Sequence, residues 1–119
     1  MTLGPKVTTA PAGGEWLPKA GTGLTAAGTN QGTAYAIPSG QDFSVFTTVA
    51  SGTGAILPSA GVGKSEEYVV ANHGTNALAV YPPVGGTMGS ASTNTAYSLA
   101  AGKTGYFLNV GPLQWTTNP

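Results

Sequence analysis

The chain has 119 residues, room for one domain of ordinary size. Charged residues make up 7% of it, there is no Arg or Cys, and the net charge is zero. That composition excludes a disulfide framework, a thiolate metal site and the basic stripe that nucleic-acid binding requires, while a net charge near zero favours association.

Residues 1–33 differ in composition from the rest of the chain. They are rich in Gly, Thr, Ala and Pro, with Pro5, Pro11 and Pro18 spaced along the first half. Proline lacks an amide donor and biases its neighbour to extended geometry, so this stretch is no helix and a poor central strand. Its apolar anchors are Leu3, Val7, Trp16, Leu17 and Leu24. A Trp-Leu pair in an otherwise unanchored segment favours an arm laid across a partner, because tryptophan is enriched at interface hot spots. These five residues are the candidate interface, and 1–33 is expected to be an extended N-terminal docking arm. The first residues lack the apolar core of a secretory signal, and no apolar run approaches a membrane span. The expectation is a soluble protein assembled in the cytoplasm, with no membrane partner.

From Ala34 onward, short strand-like runs alternate with turn signals. Ala34-Tyr35-Ala36-Ile37 stops at Pro38-Ser39-Gly40, and Phe43 to Val49 is β-branched and aromatic before Ser51-Gly52-Thr53-Gly54. In that run Phe43, Val45, Thr47 and Val49 share one face. Phe46 points the other way and is a sixth candidate interface residue. Ala55-Ile56-Leu57 precedes Pro58, and Glu67 to Ala71 leads into the turn Asn72-His73-Gly74. Ala77 to Tyr81 stops at Pro82-Pro83, Thr87-Met88 is a weak run, and Ala96 to Leu99 precedes Ala101-Gly102-Lys103. Tyr106 to Val110 meets Gly111-Pro112, and Leu113 to Thr116 closes the series. Sustained helical spacing never occurs without Gly or Pro. The expected fold is all-β: an antiparallel β-sandwich or jelly-roll-like barrel over residues 34–119, without a clear internal repeat.

Catalytic motifs are scarce. Gly61-Val62-Gly63-Lys64-Ser65 resembles the end of a phosphate loop, but Pro58 stands where its first glycine belongs and a strand succeeds it instead of a helix. His73 sits in a turn without an evident nucleophile or orienting acid. Glu66 and Glu67 are adjacent, so on a strand they point to opposite faces. With one Asp in the chain, a calcium site lacks ligands, and no His-rich or paired-acid set suggests zinc or glycoside hydrolysis. The expectation is no enzyme, no cofactor, no metal and no small-molecule substrate. The aromatics on predicted strands, Tyr35, Phe43, Phe46, Tyr68, Tyr81, Tyr97, Tyr106, Phe107 and Trp115, fit core packing better than an exposed glycan-binding row.

From about Thr47 to Trp115 the chain resembles small virion proteins of tailed phages, the head decoration or cement family and related fibre domains. The resemblance rests on Val69-Val70-Ala71-Asn72-His73-Gly74, then Leu78-Ala79-Val80-Tyr81-Pro82, then Leu99-Ala100-Ala101-Gly102-Lys103. It implies a β module, homotrimeric, that binds the major capsid protein lattice from outside and stabilises the head. The localisation implied is the virion's capsid exterior. A fibre base, at the head or the tail, and a host-glycan-binding module on the virion are the alternatives.

Overall fold

The computed structural model describes residues 20–59, 66–111 and 113–117. Every regular element among them is a strand: β1 (Ala20–Thr25), β2 (Tyr35–Ala36), β3 (Phe43–Thr48), β4 (Gly54–Ile56), β5 (Glu67–Asn72), β6 (Leu78–Tyr81), β7 (Thr87–Met88), β8 (Tyr97–Leu99), β9 (Thr104–Gly111) and β10 (Gln114–Thr117). The all-β expectation is met.

Strand direction differs from the expectation. The first six strands alternate between two sheets, odd-numbered in one and even-numbered in the other. A chain that crosses to the second sheet and back re-enters the first in its original direction, so β1, β3 and β5 pair in parallel, as do β2, β4 and β6. Ala20, Phe43 and Val69 lie in one row across three coils, and Tyr35, Ala55 and Val80 in another. The antiparallel arrangement appears where the chain turns back. There β8 runs against β6, β9 against β5, and β10 against β9. Turn residues mark where a strand stops but not which sheet receives the next one, so they cannot distinguish this parallel winding from the expected antiparallel sandwich or barrel.

The winding also uncovers a repeat that the loops hide. Gly28-Thr29 leads to Ile37-Pro38, Gly52-Thr53 to Leu57-Pro58, and Gly74-Thr75 to Tyr81-Pro82. Adjacent coils join at these places: Ile37 N–H donates to Ile56 O at 3.0 Å and Leu57 N–H to Tyr81 O at 2.9 Å. The expectation of no internal repeat is corrected, since unequal spacing between the shared Gly-Thr and Pro positions conceals it.

The arm's boundary is corrected too. Residues 20–33 belong to the domain: β1 pairs with β3, Ala26 is buried, and Ala27 bridges Gly54. Leu24, expected at an interface, packs half-buried against the domain's own core. Leu3, Val7, Trp16 and Leu17 lie outside the described residues.

One core fills the space between the sheets. It takes Phe46, Val70, Phe107 and Trp115 from the six-stranded sheet and Ala55, Leu78, Val80 and Leu99 from the four-stranded one. Edge-to-face ring pairs cross the gap at both ends: Tyr35 with Phe46 at 5.3 Å and Tyr97 with Phe107 at 5.7 Å. Phe46 is 0% exposed, so its expected interface role is corrected: it is a core side chain. The inward phase of β3 is Ser44 and Phe46, set by pairing opposite Val70 and Asn72, while Phe43 and Val45 face outward. The buried Ser44 hydroxyl accepts a bond from Gln41 Nε2 at 2.9 Å, which makes its burial tolerable.

Truncating Phe46 to Ala is expected to cost about 3–5 kcal/mol, as for a fully enclosed aromatic. Urea denaturation of the variant checks this, and a loss below about 1 kcal/mol would return Phe46 to the surface.

Candidate functional site

Two polar clamps shape the ends of the domain. At one end, buried Asn72 closes the third coil onto the returning strands. Its Nδ2 donates to Asn76 O at 2.8 Å and Leu99 O at 2.9 Å, while its Oδ1 accepts Gly74 N–H at 2.9 Å. At the opposite end, buried Asn109 spans the β9–β10 hairpin, donating to Gly111 O at 3.0 Å and Gln114 O at 3.1 Å. Each side chain supplies bonds that the backbone lacks where a strand stops.

The hairpin end carries the exposed large aliphatics among the described residues: Val84 (69% exposed), Val110 (55%), Leu113 (41%) and Leu108 (38%). They form an aliphatic ledge. Leu113 lies beside the Val84–Gly85 turn, with its Cδ1 3.5 Å from where a side chain on Gly85 would begin. Leu108 and Val110 continue from it along the outward face of β9. The Val84 loop is held from behind. Asn94 Oδ1 accepts Gly85 N–H at 2.7 Å and Gln31 Nε2 at 3.1 Å, and Gln31 also donates to Pro82 O at 2.9 Å.

Leu113 has φ 58°, a left-handed backbone that costs a branched residue about 1–2 kcal/mol. The Asn109 clamp spans its turn, and Thr87 N–H donates to Leu113 O at 2.9 Å. A strained backbone that presents an aliphatic side chain to solvent carries two local costs at one position. Such strain concentrates where contact with another molecule matters.

Among the described residues, no three His, Asp or Glu side chains converge as a metal set would. His73 is exposed in its turn, with its N–H donating to Phe46 O. Glu66 and Glu67 do diverge: Glu66 accepts the Tyr68 hydroxyl at 2.9 Å, whereas Glu67 pairs with Leu108 on the outer face. Burial pushes the Tyr68 phenol's ionisation above its ordinary range, and the Glu66 carboxylate adds to this. The Gly40 N–H and Ser39 hydroxyl oppose it. The phosphate-loop fragment at 61–65 lies outside the described residues, but Glu67–Asn72 after it is a strand where such a loop requires a helix.

No protein-family model, no curated protein and no solved structure matches the chain. The ledge residues Val84, Leu108, Val110 and Leu113 do not stand out in the sequence. A signal exists in Tyr106-Phe107-Leu108-Asn109-Val110, where apolar residues occupy both phases of one strand and only one phase can face the core.

Leu113→Gly relieves the left-handed strain and is expected to raise stability by about 0.5–1 kcal/mol, read from the urea midpoint. Tyr68 is held neutral in the fold, so its contribution is complete below the unfolded tyrosine value of about 10 and is lost as pH rises through the higher folded value. Tyr68→Phe should therefore flatten the alkaline limb of a stability–pH curve above about pH 10; an unchanged limb would assign it to another group.

Proposed function

We propose that the protein is a non-enzymatic assembly component, a phage capsid cement or decoration protein, that binds the outer surface of the major capsid protein lattice as a homotrimer. The domain is best read as a short β-solenoid closed at one end by strands running back over its last coil. The observation that carries the proposal is the aliphatic ledge. Val84, Val110 and Leu113 are fixed in exposed positions by Asn94, Gln31 and Asn109, and Leu113 holds its place against backbone strain. A surface held rigid before contact loses little conformational entropy on binding. The resemblance of residues 47–115 to phage decoration proteins supports the same reading, as does a charge content too low for a well-solvated surface.

Parallel coil winding favours a second reading, a fibre base at the head or tail. Coils that stack along an axis suit an elongated spike, and among the described residues β1 and β2 are the sheet edges of the first coil. Position on the virion separates the two: electron microscopy of particles lacking the protein loses either a surface protrusion or a fibre.

Val84→Lys and Val110→Lys place charge on the ledge at exposed sites, so folding stability should stay within about 0.5 kcal/mol. Co-sedimentation with phage heads should weaken at least tenfold, about 1.4 kcal/mol. Undiminished binding by both variants would remove the ledge from the docking surface.

A further inference from the structure

We propose that a surface groove at the β8–β9 turn is a binding site for an acidic saccharide unit, a sugar that carries a carboxylate. This activity goes beyond assembly and does not depend on the ledge.

The first observation is the groove itself. It encloses about 300 Å³ between Tyr97–Ala100 on one side and Lys103–Thr104 on the other. That is the small end of the range for ligand sites, roughly 300–1,000 Å³, a size for a sugar unit and not for a folded partner. β8 is the outer strand of the four-stranded sheet, so among the described residues no further strand closes the groove from that side.

The second is that both walls are fixed by one buried residue. Asn72 Nδ2 donates to Leu99 O at 2.9 Å in one wall, and the Asn72 backbone N–H donates to Lys103 O at 2.8 Å in the other. Gly102 N–H returns a bond to Asn72 O at 2.8 Å, and Lys103 N–H closes the turn on Ala100 O at 3.1 Å. The Tyr97 ring stands against Phe107, with centroids 5.7 Å apart. A shape formed before contact loses little conformational entropy when a ligand arrives.

The third is chemistry. Tyr97 is half-buried, while Ser98, Lys103 and Thr104 are exposed. Among the described residues, the Tyr97, Ser98 and Thr104 hydroxyls and the Lys103 ammonium have no bonding partner. The ring offers an apolar surface to the C–H side of a pyranose, and the hydroxyls can donate to or accept from its own hydroxyls. The described acids Asp42, Glu66 and Glu67 stand at the starts of β3 and β5, whereas the groove lies where β5 ends, since Ala71 pairs with Thr104. The length of β5, about 17 Å, is twice the Debye length of about 8 Å at physiological salt, so those carboxylates do not neutralise Lys103. An anionic ligand does. β9 runs about 24 Å from Thr104 beside the groove to Gly111 beside the ledge, so both surfaces can be occupied together.

Nuclear magnetic resonance titration of the full-length, isotope-enriched protein tests this. The probes are the methyl glycosides of glucuronic and galacturonic acid, their neutral parents methyl glucoside and methyl galactoside, and acetate. At least one acidic glycoside should shift the amides from Ser98 to Thr104 saturably, in the millimolar range. Its neutral parent should bind about tenfold more weakly, the worth of one charge-assisted hydrogen bond. Lys103→Gln should bring the acidic glycoside to the level of its parent, and Ala100→Trp, which fills the groove, should abolish both. Both positions are exposed, and an unchanged urea midpoint shows that each variant folds. The proposal is overturned by no saturable shift with either acidic glycoside, by acetate binding as well as they do, or by either variant binding undiminished. The ledge variants Val84→Lys and Val110→Lys should titrate as the unaltered protein does, so failure of docking and failure of sugar binding are read separately.

Discussion

A single coil of this chain cannot bury its own apolar side chains, and everything else in the domain depends on that constraint. Each pass contributes a few inward residues, such as Ser44 and Phe46 or Ala55, and these are enclosed only when the next coil stacks above them and the opposite sheet presses across. Stability is therefore shared between coils. The ring pairs Tyr35–Phe46 and Tyr97–Phe107 tie the two sheets where a small core would otherwise be thin. Trp115 shows the cost of filling such a space. It is 1% exposed, and its indole N–H finds no acceptor among the described residues.

Buried asparagines do the work that charged residues do in more polar proteins. Asn72 and Asn109 each terminate strands by donating side-chain bonds to carbonyls, and exposed Asn94 fixes a loop by accepting the Gly85 N–H at its Oδ1. A neutral amide satisfies several backbone groups without the desolvation cost of an ion. The surface is then free to be apolar at the hairpin end, because the order beneath it does not depend on ion pairs there. The ledge stands on this support, and its rigidity is what gives the assembly reading its physical basis.

Strand positions are legible in the sequence because Gly, Pro and Asn mark turns by local chemistry: the Pro38, Pro58 and Pro82 stops and the Asn72-His73-Gly74 turn all fall at strand ends or between strands. Pairing is not legible, since it depends on which sheet a loop delivers the chain to. The phase of β3 misleads because Phe43 and Val45 look like core residues, whereas the serine between them and Phe46 are what face inward. An apolar outer face defeats the alternation rule, which assumes that one face is wet. The same blindness hides the ledge. Nothing in Gly111-Pro112-Leu113 discloses that the leucine adopts a glycine-like backbone, because that conformation is imposed from β7 and from Asn109.

The returning strands β8 and β9 set where the winding ends. β8 edges the four-stranded sheet and runs against β6, while β9 runs against β5 with β10 and β7 beyond it, so the parallel winding stops at β5 and β6. The turns before β5 are not so limited. Duplication of one whole coil there, a strand of each sheet such as β3 with β4, would lengthen the stack by one strand spacing per sheet, about 4.8 Å, and carry the hairpin end outward unchanged. The molecule is in this sense a ruler with a fixed tip: its height is adjustable in whole coils, and the exposed aliphatic surface travels with the last one.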